Sequence, residues 1–147
     1  MPRLVLAQHI QLELLGPLEN FVDYDDLITD LDAATERDVI DLVINSPGGD
    51  CGVGQMIIRA IQRSRALVRA VVVYPSYSMA SIISLACDDL VIEPGAFLMF
   101  HNYSTVIHGK GDEIKQMAAN VDLSLVAMMD VCKPFLTPKE IKMLEHD

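Results

Sequence analysis

An alternation between two kinds of segment constrains this chain more than anything else. Runs of extended character, DVIDLVIN, LVRAVVVY and DLVIEP, are separated by stretches whose apolar residues recur at helical spacing. Ahead of them HIQLELLG, residues 9–16, alternates polar and apolar residues before a Gly-Pro break, the pattern of a half-buried strand. YDDLITDLDAATE then sets Leu27, Ile28, Leu31 and Ala34 at helical spacing, with acidic residues in the first turn where they suit the helix dipole. DVIDLVIN ends in the turn SPGGD, and GVGQMIIRAIQRSRA follows with Met56, Ile57, Ala60 and Ile61 on one helical face. After LVRAVVVY come a short helix, SMASIISLAC, the strand DLVIEP and a fifth strand, GAFLMFH. Strands that alternate with helices predict an α/β fold whose parallel sheet is covered on both faces.

The remaining third is helical. Beyond STVIHGKG, residues 112–131 place Ile114, Met117, Ala118, Val121, Leu125 and Met128 in one stripe, the mark of a core or interface face. TPKEIKMLEHD reads as a helix start with Thr137 as N-cap, Pro138 at N1 and Glu140 closing a capping box. No internal repeat or low-complexity linker divides the chain, and 147 residues are one domain's worth. Residues 1–147 are therefore expected to form a single domain.

Composition excludes several function classes. The net charge of −10 repels a phosphate backbone, and no Lys/Arg cluster is interleaved with aromatics, so nucleic acid is not an expected partner. Apolar runs such as residues 66–74 are too short to span a bilayer and are broken by Arg69. MPRLVLAQHIQ lacks the cleavage site of a secretory signal, which points to a cytoplasmic location and no membrane association. Three widely spaced cysteines, Cys51, Cys87 and Cys132, argue against a disulfide framework or a zinc knuckle and for buried thiols. With 51% apolar residues and a mean hydropathy of +0.30, part of the surface is expected to be covered by other chains, in an oligomer.

Ligands of an open parallel sheet collect beyond the carboxyl ends of its strands. Three segments there carry suggestive residues. In NSPGGD, Gly48 and Gly49 offer main-chain N–H groups that either receive an oxyanion or form a plain βα turn. In VVVYPSYSMASIISLACDDL, four serines compete, and Ser78 sits at the expected helix start, as a nucleophile or as an ordinary N-cap. Ser81 and Ser84 fall inside that helix and read as small packing residues; Ser76 precedes it. His101 follows the apolar strand, placed either as a general base for Ser78 or as a structural histidine. A metal site on His101 and His108 has no third ligand at a convincing spacing.

Together, INSPGGDCGVG, SYSMAS and LMFHN, in this order and with these gaps, resemble the proteolytic subunit of the Clp protease family, over nearly the whole chain from about Leu12. The resemblance implies a ClpP/crotonase-like spiral of ββα units with a mostly parallel sheet and a long handle helix, here the stripe from Ile114 to Met128. It implies Ser78 as nucleophile, His101 as base, and an oxyanion hole from the N–H groups of Gly49 and Met79, with no metal or other cofactor. It further implies a homo-oligomer of stacked rings that encloses its sites, protein or peptide substrates, and an ATP-dependent unfoldase as partner.

Three departures qualify it. Tyr77 stands before the nucleophile where the family has a small residue, which is expected to narrow the site or alter preference. The family's N-terminal axial segment, which gates the pore and helps dock the unfoldase, is largely missing before Leu12. The triad acid falls at or just beyond Asp147, so the family's C-terminal end is expected to be missing too. A short, divergent member of virus-encoded type fits this form. Two readings stay open, a serine endopeptidase acting through an acyl-enzyme on Ser78, and a catalytically weak or inactive structural or regulatory subunit. A third, a crotonase-type acyl-CoA enzyme, lacks an acidic catalytic partner and basic residues for the CoA phosphates.

Overall fold

A computed structural model describes residues 6–102 and 104–146; Asp147, the residue nearest the expected triad acid, lies outside them. The chain gathers into two compact units, one up to Met99 and one from Phe100 onward.

The first unit is built on a parallel four-stranded sheet. Its strands are β1 (His9–Leu15), β2 (Val39–Asn45), β3 (Leu67–Val72) and β5 (Asp89–Ile92), lying in the order β1-β2-β3-β5. Helices α1 (Asp25–Ala33), α2 (Cys51–Arg63) and α3 (Met79–Leu85) fall between them in the chain. β-Branched residues suit the pleat, and their period of two puts Ile40, Leu42 and Ile44 of β2 and Val68, Ala70 and Val72 of β3 at zero exposure. Leu31, Val53, Ile57 and Ile83 from the three helices are buried with them. Each such side chain contributes about 1.5–3 kcal/mol on burial, which makes this layer the main source of the unit's stability.

The sheet differs from expectation on its other face. Covering on both sides was expected, yet Gln11, Glu13, Asp41, Arg69 and Asp89, the alternate residues, remain half-buried or exposed. Apolar residues, Val43 and Val71 half-buried and Leu67 and Val91 exposed, share that face, while its central polar side chains pair across the strands. Asp41 accepts from Arg69 Nε at 2.7 Å and from a second guanidinium nitrogen at 2.9 Å, and pairs with His9 Nε2 at 2.7 Å. The Arg69 hydrogen bonds, seconded by His9, hold the Asp41 carboxyl below its ordinary range.

The fifth strand is also shorter than expected. Only Leu98–Met99 (β6) is extended, because its partner, β4 (Ser76–Tyr77), is itself two residues long. Before it the chain turns at Gly95, with φ +87° and a bond from Ala96 N–H to Glu93 O at 2.9 Å.

In the second unit α4 (Gly111–Cys132) matches the long helix, and α5 (Pro138–His146) matches the last one. Thr137 N–H and Oγ1 both donate to Glu140 Oε2 at 2.7 Å, and Glu140 N–H returns a bond to Thr137 Oγ1 at 3.3 Å, the expected capping box. The α4 stripe divides. Met128 is buried, whereas Ile114 is 39% and Met117 49% exposed, which removes its first half from the core. Among the described residues no helix is long and apolar enough to cross a membrane.

Candidate active site

The turn after β2 and the start of α3 meet in the first unit. Ser46, fully buried, accepts Gly48 N–H on its Oγ at 3.1 Å and Tyr77 N–H on its main-chain oxygen at 3.2 Å. One small residue therefore shapes the glycine turn and ties it to the segment before Ser78. Gly48 has φ +83° and Gly49 φ +146°, both in the region that favours glycine. Space requires glycine as well. A Cβ on Gly48 would lie 2.6 Å from Tyr77 O and 2.9 Å from Met79 N, and one on Gly49 would lie 2.3 Å from Leu18 O. Bonds from Leu18 N–H to Gly48 O (2.9 Å) and from Asp50 N–H to Leu18 O (2.7 Å) hold the turn from its outer side.

Ser78 is the strained residue of the site. Its φ of 56° and ψ of −124° make it the one non-glycine residue with positive φ among the described residues. An ordinary serine cap has extended backbone and bonds the second or third N–H of its helix; Ser78 has neither that conformation nor any capping bond. The geometry is a sharp strand-to-helix elbow, which turns a half-buried hydroxyl out of the chain's own hydrogen bonding. The strain is held by pairing on both sides: Ser76 N–H donates to Phe97 O at 2.9 Å and Ser78 N–H to Met99 O at 2.8 Å.

Two donors are left over at this elbow. Among the described residues neither the N–H of Gly49 nor that of Met79 has an acceptor, although neighbouring Gly48, Asp50 and Ser78 N–H groups are all paired. Unpaired N–H groups on a glycine turn and on the first residue of a helix are equipped to hold an anionic oxygen.

Ser81 was expected only to pack. Its hydroxyl, at zero exposure, lies 2.8 Å from Ser76 O and 2.9 Å from Met99 O, and accepts Met99 N–H at 3.2 Å. It pins the β4/β6 rung that carries the elbow. Ser84 does behave as a packing residue, bonding Ala80 O within its helix at 2.9 Å. Tyr77 turns its ring edge-on to Phe97, with centroids 5.9 Å apart at 86°.

His101 belongs to the second unit and is exposed. Its Nδ1 pairs with Asn102 O. A carbonyl only accepts, so this contact favours the tautomer with its hydrogen on Nδ1. Beside it lies a cavity of about 370 Å³ lined by Leu136, Met143, Leu144 and Glu140. The Glu140 carboxylate is committed to the Thr137 hydroxyl and N–H, which together keep its pKa below the ordinary value. It serves α5 and not His101. Asp147, outside the described residues, has no structural account.

Other candidates play no part here. His108 is exposed, and among the described residues no three His, Cys, Asp or Glu side chains gather as a metal would need. Of the cysteines Cys132 is buried and the other two half-buried; desolvation pushes the Cys87 thiol up to about 12 and that of Cys132 to about 11. Neither is a nucleophile at neutral pH.

No curated protein matches the chain. A family model described as Clp protease matches residues 20–142, a span that holds the glycine turn, the Ser78 elbow, His101 and most of both units. With most of its length inside that match, the chain belongs to the Clp protease family.

Proposed function

We propose that this protein is a serine endopeptidase in which Ser78 attacks the peptide carbonyl. The observation that carries the reading is the positive φ of Ser78 beside two N–H groups that are unpaired among the described residues. A strained, over-determined residue at a strand-to-helix turn marks function more often than it marks stability, since it costs about 1–3 kcal/mol to hold.

The chemistry runs in two halves. His101 Nε2 takes the Ser78 proton as Oγ bonds to the carbonyl carbon, and the new oxyanion accepts hydrogen bonds from Gly49 and Met79 N–H. Collapse expels the amine, which takes the proton from His101 and leaves an ester on Ser78. Water, deprotonated by the same imidazole, then cleaves that ester and restores the hydroxyl. The Nδ1 contact with Asn102 O supports this role, because a hydrogen on Nδ1 would make Nε2 the acceptor. Family membership supports peptide bonds as substrate and an oligomer of stacked rings as the working form, with an ATP-dependent unfoldase as a further partner and the cytoplasm as its place. The exposed apolar residues Ile114, Met117, Leu123 and Val126 of α4 support such an assembly.

A fluorophosphonate probe on the assembled protein tests the reading. Ser78 should be labelled, and Ser78→Ala and His101→Ala should abolish or strongly slow labelling. A folded, assembled protein that stays unlabelled, beside a serine peptidase control that reacts, would leave the alternative: a ClpP-like subunit that keeps the fold without the activity.

A further inference from the structure

We infer that Gly54 is a positioning residue for the second oxyanion donor, a role that rests on the proposal that the Gly49 and Met79 N–H groups receive the developing charge. Gly54 lies buried inside α2, where glycine is about 1 kcal/mol worse than alanine for the helix. The surroundings give the reason for it. A Cβ at this position would lie 2.2 Å from Met79 Cγ, 2.4 Å from Cε and 2.9 Å from Sδ. The whole Met79 side chain, 1% exposed, therefore lies flat across Gly54. Its Cγ, close to the main chain, is the atom hit hardest, so swinging the methyl aside does not relieve the contact.

This contact links the two donors. Asp50 follows Gly49 and caps α2, accepting Val53 N–H on Oδ1 at 2.9 Å and Gly54 N–H on its main-chain oxygen at 3.0 Å. The element that carries the first donor thus also carries the seat of the residue that bears the second. From the other side Gly48 closes on Met79 N. Two glycines six positions apart bracket Met79, Gly48 at its main-chain nitrogen and Gly54 under its side chain. An oxyanion hole needs both donors at about 2.7–3.1 Å from the same oxygen, so a shift of one alone weakens it.

The test compares wild type, Gly54→Ala, Met79→Ala and the double variant, as full chains. The readouts are fluorophosphonate labelling of Ser78, peptide hydrolysis, inhibition by a peptide aldehyde, and thermal melts. Gly54→Ala should lower kcat about tenfold or more with KM within about threefold, and weaken aldehyde inhibition in proportion. Met79→Ala added to it removes the obstructing atoms and should return the rate to that of Met79→Ala alone. Should Gly54→Ala melt too early to assay, the double variant must recover both melting and rate. A Gly54→Ala protein that keeps wild-type rates, or a double variant that is folded yet slower than Met79→Ala alone, overturns the role. Those results leave wild-type labelling intact, whereas an unlabelled wild type overturns the nucleophile assignment itself and this role with it.

Discussion

Gly48→Ala should slow Ser78 through a steric push that can be sized from the structure. The added Cβ would sit 2.6 Å from Tyr77 O, 2.9 Å from Met79 N and 3.0 Å from Ser78 Cβ, where ordinary contact begins at 3.4 Å. Moving Tyr77 O from 2.6 to 3.4 Å displaces the elbow by about 0.8 Å, and a misplacement of about 1 Å costs on the order of 100-fold in rate. A 10- to 100-fold loss, as an order of magnitude, is therefore expected in the second-order rate of fluorophosphonate labelling. Stability suffers too, by about 1–2 kcal/mol for a left-handed non-glycine and about 1–3 kcal/mol for overpacking. Most small domains have about 5–15 kcal/mol to lose, so the variant should fold. Gly95→Ala separates the two effects, since Gly95 has φ +87° but nothing within 4 Å of its added Cβ. It should lose only the conformational increment in a urea melt and label at the wild-type rate. A Gly48→Ala protein that labels within about threefold of wild type, or a Gly95→Ala protein slowed as much as Gly48→Ala, would refute the steric reasoning.

Three further outcomes follow from other parts of the molecule. Ser81→Ala removes from the β4/β6 rung a hydroxyl at zero exposure whose one proton serves Ser76 O or Met99 O and whose oxygen accepts Met99 N–H; it should cost about 1–3 kcal/mol in a urea melt and slow Ser78 labelling as well. Asp41 has its carboxyl pKa lowered chiefly by Arg69, so its contribution is present above the unfolded value near 3.8 and is lost as pH falls through the folded one. Acid melts below about pH 4 should therefore be steeper for wild type than for Asp41→Asn, and parallel curves would contradict that. Burial lifts the thiols of Cys87 and Cys132 to about 12 and about 11, so iodoacetamide at pH 8 should modify them far more slowly in native than in urea-unfolded protein; peptide mass spectrometry reads the difference, and equal rates would rule it out.

What could be read in the sequence depended on how far each signal extends along the chain. β2 and β3 carry β-branched runs of six or seven residues, enough to specify a strand, and α2 and α4 two or more turns of apolar stripe, enough to specify a helix and its face. The Thr137 capping box was legible because two side chains three positions apart, Thr137 and Glu140, carry it. β4 was not, since a two-residue strand has no period, and its existence depends on β6, some twenty residues further on. The open face of the sheet was hidden for a related reason: Asp41 and Arg69 look like breaks in apolar runs until the register sets them side by side. In the site, Ser78, Gly49 and Met79 could be named from the order of three motifs. That Ser46 and Ser81 would build the elbow could not, because their partners are main-chain atoms of distant segments, and main-chain atoms leave no residue type to recognise.

The same dependence explains why those motifs inform only as a set. A Ser-Pro-Gly-Gly turn alone is a βα connection, a serine before an apolar helix is usually a cap, and Leu-Met before a histidine is an ordinary strand end. Ser78 is held at φ 56° because the three converge: Ser46 O takes Tyr77 N–H, Gly48 leaves room for Tyr77 O and Met79 N, and Met99 O takes Ser78 N–H. Holding a non-glycine residue there costs about 1–3 kcal/mol, while each bond returns about 0.5–1.5 kcal/mol, so losing a single contact shifts the balance without unfolding the unit. Relaxation of Ser78 toward an ordinary cap is then the natural result of damage at any one of the three segments. Such a relaxed serine would bond its own helix N–H groups and lose reactivity in a protein that remains folded. Substitutions at Ser46, Gly48 and Ser81 should therefore converge on one phenotype, slow labelling of Ser78 with native-like secondary structure, whereas damage to Leu42 or Ile57 in the core should lower stability before it touches the labelling rate.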